Sequence, residues 1–402
     1  MAVLCCVVAV VCSLVLRCTS LSLNRNKAAR RTQQGSDAGA EGAAVWISHH
    51  LLVCNVALGD GHTFTALVDT GSGNLAVPAA NCESPGCQHH QRFHPDWDSS
   101  GSFLGSDTTD LSLSFATGHL EGSGFNGRIC LGHVCGNVGF VVAAFESQEF
   151  QDLPFDAVLG LGPPRQALAP GFNILSALVQ QGVVPHQAFV LSLRSRGNSS
   201  MLLGGYGNFS EWTSGANATS AKPAGELLQV SPPVHALWLA ADARHGEWAV
   251  PLLDVLVEGR GVGACGGKGC RAVLDTGCTG LALPKLAMEK LKRLLRLDGC
   301  SAGAINALPR LGFLLGNGLT YEIHPERLVE FSNAELEEDA KAVSDNAAAD
   351  DGAHCRLMVN EIDAFSRTVI LGLPFLLDRD ILFDQGRMRV GLTGAVPVRP
   401  PA

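Results

Sequence analysis

The 402-residue chain has no strongly basic stretch: no run is richer in Lys and Arg than RNKAARR, and the net charge is -9. A phosphate backbone is bound by clustered cations, so nucleic acid is excluded as a partner. Nor is there an apolar run long enough to cross a membrane once the N-terminus is set aside. The uncharged run AVLCCVVAVVCSLVL at residues 2–16 has signal-peptide length and falls short of the roughly 20 residues a spanning helix needs. A phosphate loop is missing too. In GVGACGGKGC, Val262 stands where the first Gly should be, and Gly269 replaces the Ser or Thr that would hold magnesium.

The leader reads as a signal peptide over 1–20, with cleavage after Ser20. Arg17, Arg25, Lys27, Arg30 and Arg31 follow it, on the flank that ordinarily stays cytoplasmic, but the rest of the chain has luminal character. Residues 21–44, rich in Arg, Ser, Gly and Ala without periodicity, read as a short pro-segment or disordered arm, with Arg30-Arg31 a candidate processing site. Ten of the fourteen cysteines come after Ser20, and three pairs have four residues between them: Cys82/Cys87, Cys130/Cys135 and Cys265/Cys270. Cys300 and Cys355 would close a longer loop, leaving Cys54 and Cys278 as thiols. Cys82, Cys87, His89, His90 and His94 have the right types for zinc, but their spacing fits no standard site, and no metal is expected. Sequons at Asn198, Asn208 and Asn217 crowd one polar segment. Together these features favour an oxidising, secretory compartment, extracellular or an acidic vacuole.

An apolar run that ends in a carboxylate ordinarily marks a strand meeting a turn. This chain makes the same turn twice. LVDTGSGNLAVP at 67–78 and VLDTGCTGLALP at 273–284 share Asp, Thr, Gly, Leu, Ala and Pro at matching places. A second pair of motifs follows at similar distances: AVLGLG begins at Ala157 and VILGLP at Val369, placing Gly160 91 positions after Asp69 and Gly372 97 positions after Asp275. Two long copies imply two similar lobes facing each other, 45–231 and 232–402, with Asp69 and Asp275 meeting at the junction.

From Ala44 onward short apolar runs alternate with Gly, Asn, Asp and Ser, the pattern of an all-β chain. Helical periodicity is confined to FNILSALVQQG, with Phe172, Leu175, Leu178 and Val179 on one face, and LAMEKLKRLLRL, with Leu286, Leu291, Leu294 and Leu295. The acidic, small-residue segment 334–353 reads as a solvated loop.

The two Asp-Thr-Gly turns, FDAVLGLG at 155–162 and VILGLPFLLDRDILFDQGRMRVGL at 369–392 resemble the pepsin-like aspartic proteases, over about Val45 to Leu392. The resemblance implies a bilobal all-β fold, a cleft for an extended polypeptide substrate, no cofactor and a monomer. It makes Asp69 and Asp275 the catalytic pair. Two carboxyls about 3 Å apart cannot both ionise, a rule established on pepsin itself, so one takes a proton from water while the other hydrogen-bonds the scissile carbonyl. Thr70 and Thr276 would brace the turns by crossed hydrogen bonds, and Gly71 and Gly277 let backbone amides reach the carboxylates. Ser72 would bond Asp69; its counterpart Cys278 is a weaker donor. Disulfides 82/87, 265/270 and 300/355 fall where the family places them, with 130/135 an addition.

The flap of that family maps to Leu111–Gly122, with Phe115, Thr117 and Gly118 against substrate. Where the family has a Tyr bonded to a Trp, this chain has Phe115 and Ala76. The tip is therefore expected to move freely. An active endopeptidase is the first reading; a catalytically silent relative that binds peptides or partners is the second.

Overall fold

The computed structural model describes residues 42–48, 51–105, 111–204, 237–242, 246–267, 269–333, 353–362 and 367–395. The leader, all but the last residues of the arm, the acidic segment over 334–352, the sequons at Asn208 and Asn217 and the expected 231/232 boundary lie outside the described residues. The fold is all-β and bilobal, pepsin-like, with a few short helices.

The repeat in sequence is a repeat in topology. The strand His62–Asp69 lies between Leu51–Leu58, antiparallel, and Ala157–Gly160, parallel, with Asp69 level with Gly160. In the second copy Cys270–Leu274 lies between Ala249–Val257, antiparallel, and Thr368–Leu371, parallel, with Leu274 level with Leu371. After each Asp turn the chain returns as Leu75–Pro78 or Leu281–Pro284, antiparallel to that same parallel neighbour. Ala157–Gly160, Leu75–Pro78 and Leu281–Pro284 are buried at every position. Strands covered on both faces have no use for polar alternation, hence their continuous apolar runs.

The first copy belongs to a fourteen-stranded sheet and the second to one of eight strands. The last strands of the chain tie the two together. Arg379–Asp384 leaves the second half to pair antiparallel with Ala188–Leu193, and Arg389–Leu392 pairs with Leu237–Ala240. At this seam Phe189 stacks on Phe383 at 4.6 Å, with Trp248 edge-on at 5.1 Å.

The first helix, Ile174–Gln180, starts on Asn173, whose side chain accepts from the Ser176 amide and so satisfies an otherwise orphaned donor. Leu175 and Leu178 are buried on it as expected. The second helix differs from expectation. It spans only Lys285–Leu291, and its inward face is Ala287, Met288 and Leu291, continued by Leu295, whereas Leu286 and Leu294 are 56% and 48% exposed. Starting directly from the strand Leu281–Pro284 sets the helix phase, and small Ala287 faces inward where Leu286 was expected.

Disulfides join Cys82 to Cys87, Cys130 to Cys135, Cys265 to Cys270 and Cys300 to Cys355. The Cys130–Cys135 bridge staples a hairpin, since these residues face each other where His119–Leu131 turns into Val134–Glu146. Cys300–Cys355 fastens the strand pair Val329–Asn333 and Ala353–Leu357, whose connection is the acidic segment. Cys54 and Cys278 are buried thiols. Asn198 is exposed in the turn before Ser199–Leu203.

Candidate active site

Each Asp sits at the end of a buried strand, and the Thr-Gly that follows folds the turn back on it. Asp69 accepts from the Gly71 amide at 2.8 Å, and Asp275 from the Gly277 amide at 2.9 Å. The two turns also interlock. The Thr70 amide donates to Thr276 Oγ1 and the Thr276 amide to Thr70 Oγ1, both at 3.0 Å. Each hydroxyl then donates across the junction, Thr70 to the Leu274 carbonyl at 2.9 Å and Thr276 to the Val68 carbonyl at 2.6 Å. The amide and hydroxyl of both threonines are used in this buried knot, which holds the spacing of the two Asp backbones.

The glycines have a crosswise role. A Cβ on Gly71 would stand 2.7 Å from the Asp275 carboxyl, and one on Gly277 would stand 2.6 Å from an Asp69 oxygen. Any side chain at either place would push a carboxyl aside. Asp69 is 7% exposed, and its carboxyl and that of Asp275 each lie against the other turn's glycine. Burial pushes the Asp69 carboxyl above the usual aspartate range, against the lowering pull of the Ser72 side chain, the Gly71 amide, Asp275 and the Ser72 amide. Ser72 Oγ is buried and leans on this carboxyl without closing a well-aligned hydrogen bond. The Cys278 thiol donates to the Gly280 carbonyl at 3.3 Å.

The family model of the eukaryotic aspartyl proteases matches residues 53–395. The chain belongs to that family. It is 27% identical over 352 residues to cathepsin E-B of Xenopus laevis, covering 84% of this chain and 77% of that one. It is 28% identical over 342 residues to pepsin II-1 of Oryctolagus cuniculus, covering 83% and 77%. Pregnancy-associated glycoprotein 1 of Ovis aries is similar at 28% over 359 residues, covering 86% and 82%.

The segment expected as a flap is a hairpin of Leu111–Ser114 and the start of His119–Leu131, closed by the Phe115 amide donating to the Gly118 carbonyl at 2.7 Å. Its second strand is tied to Ser147. The His119 amide donates to Ser147 Oγ at 3.0 Å, and the Ser147 amide returns to the His119 carbonyl at 2.9 Å. Gly118 lies flat on this anchor, since a Cβ there would meet Ser147 Oγ at 2.4 Å. Phe115 packs edge-on against Phe150 at 5.8 Å. Ala76 is buried beside Leu120, Val141 and Phe172.

Several residues that shape the site escaped the sequence reading. Gln166 Nε2 donates to the Gly71 carbonyl at 3.0 Å. Trp248 Nε1 donates to the Leu161 carbonyl at 2.9 Å, while the Trp248 carbonyl accepts from Leu274 at 2.9 Å, one residue before Asp275. Leu161 in turn donates to the Asp69 carbonyl at 2.7 Å. Trp248 thus links both Asp strands, and five scattered tryptophans offered no signal for which one would do so. Among the described residues no group of His, Cys, Asp and Glu is placed to hold a metal, and no helix is long and apolar enough to cross a membrane.

Proposed function

We propose that the chain is an active aspartic endopeptidase acting on extended polypeptides, with Asp69 and Asp275 as its catalytic residues. The observation that carries this reading is that two carboxyls converge on interlocked turns, each against the other's glycine, with burial raising the Asp69 carboxyl above its usual range. One ionised and one protonated carboxyl divide the work. The ionised member takes a proton from the attacking water; the protonated member donates a hydrogen bond to the scissile carbonyl oxygen as it gains charge. Amide hydrogen bonds from Gly71 and Gly277 keep the negative charge usable without a metal. The flap, through Phe115, Thr117 and Gly118, closes over the substrate backbone. In this reading 45–231 and 232–402 are the two lobes, and the leader, the sequons and four disulfides belong to an exported glycoprotein.

The loss of the Tyr–Trp pair, at Phe115 and Ala76, is what favours a silent, peptide-binding relative instead. Cleavage of a peptide library by the processed chain, from acidic to neutral pH, separates the two. Asp69→Asn and Asp275→Asn should each lower kcat by more than about a thousand-fold while the protein stays folded. Wild-type cleavage by either folded variant would rule out the paired-carboxyl mechanism.

A further inference from the structure

Behind the flap lies a small cavity, about 10 Å³ and partly open to solvent, near the lower limit for one water-sized group. Ala76, Leu120, Phe150 and Val158 wall it; Glu146, His90 and Asp156 make it polar. Two of the three polar residues are committed elsewhere. Asp156 accepts from the Thr65 amide at 3.0 Å and the Gln91 amide at 2.9 Å. His90 Nε2 bonds the Phe150 carbonyl at 2.8 Å, and its Nδ1 stands 3.9 Å from Asp156. Glu146 is different: the residue is 5% exposed and its backbone amide donates to Ser84 Oγ at 2.8 Å, while its carboxyl lines the cavity with no donor to it among the described residues. A carboxyl that lines a cavity is placed to receive a donor from outside.

The cavity adjoins the proposed substrate path. Phe150 and Val158 also belong to the apolar wall on which Phe115 packs, so a side chain seated under Phe115 runs along this wall toward Glu146. The walls suit methylenes, the Asp156 and Glu146 carboxyls can receive a cation, and the room suits an ammonium rather than the broader guanidinium. We propose that this cavity is a subsite for the ammonium group of a substrate lysine, with Glu146 as its partner. The proposal rests on the reading of the chain as an endopeptidase and adds to it a substrate class.

Proton linkage gives the subsite a signature. Burial first, and the charge of Asp156 second, push Glu146 up to about 8, so the empty cavity holds a neutral acid at acidic pH. An entering ammonium favours the ionised form and expels that proton. Lysine preference must then grow as pH rises toward 8, because less work is needed to remove it.

The experiment uses the processed chain and peptides that differ only in Lys, Arg or norleucine at each position flanking the scissile bond. Their kcat/KM is compared from pH 4 to 7, and their Kd is measured on the Asp69→Asn variant. Taking the ratio between peptides removes the titration of the catalytic pair, which all share. At one position lysine is expected to exceed both others by on the order of ten-fold, rising with pH. Glu146→Gln should bring the ratio near one and flatten its pH dependence; Ala76→Leu, which fills the cavity, should abolish the preference independently. Equal handling of lysine and norleucine, or a lysine preference that survives Glu146→Gln, overturns the subsite. Lysine-selective binding without cleavage overturns the catalytic reading and leaves the subsite standing; cleavage without lysine selectivity does the reverse. Peptides neither cleaved nor bound overturn both.

Discussion

Asp69 and Glu146 are both acids that burial holds toward their protonated form. An acid whose folded pKa is raised makes the folded state bind its proton more tightly than the unfolded chain does. Its contribution is intact below the unfolded value and is lost as pH rises through the folded one. For Glu146 that window runs from 4.5 to about 8. Between pH 4.5 and 7 the loss should be roughly 3 kcal/mol, at about 1.4 kcal/mol per pH unit. Glu146→Gln keeps the shape and cannot ionise. Urea unfolding should therefore find the variant close to wild type at pH 4 and more stable by about 2 to 4 kcal/mol at pH 7. The same difference at both pH values would mean that Glu146 titrates normally in the folded chain. A carboxylate beside a cavity also explains why the sequence hid it: nothing in AAFESQEF distinguishes Glu146 from a surface acid until the strand Val134–Glu146 is seen to bury it opposite Leu120.

At the scale of elements the hairpin expected as a flap shows how a contact between distant residues escapes the sequence. The hairpin was legible only through the family resemblance, which mapped a flap to LSLSFATGHLEG, and the loss of Tyr and Trp was legible at Phe115 and Ala76. Ser147 was not. It lies 28 residues beyond His119 and meets it only because the long hairpin His119–Leu131 and Val134–Glu146 brings its end back beside the flap. Ser147→Ala removes the hydroxyl that accepts the His119 amide. Hydrogen exchange at that amide should quicken about five-fold, the equivalent of ~1 kcal/mol for one hydrogen bond. Ser147→Thr, which restores the hydroxyl, should restore protection. If Ser147→Ala leaves the amide as slow as before, the flap is secured by Phe115 on Phe150 instead.

Across the whole molecule, the parts read from sequence were those that repeat or carry their own chemistry: the two Asp turns, the Gly-ended strands and the paired cysteines. The parts missed were joints between distant segments, whose residues are ordinary until the chain is folded. Arg379 is the sharpest case. It is 4% exposed, and burial, aided by nearby Arg327, pushes its pKa down to about 10. Its guanidinium fans over carbonyls from three places: Phe375 at 2.8 Å, Glu322 at 2.7 Å, and Thr393 and Gly394 at 3.2 and 3.1 Å. Phe375 and Tyr321 lie under its face at 4.9 and 5.5 Å. It therefore clamps the strand Thr320–Ile323 of the eight-stranded sheet to the C-terminal strands that enter the fourteen-stranded one. Arg379→Met keeps most of the packing and strands these carbonyls, so it should cost more than about 3 kcal/mol. Arg379→Lys retains the charge but not the planar fork, and should recover only part of that loss. Denaturant unfolding of the three proteins decides the matter. A loss below about 1 kcal/mol for Arg379→Met would show that the two sheets are joined by strand pairing and aromatic packing alone.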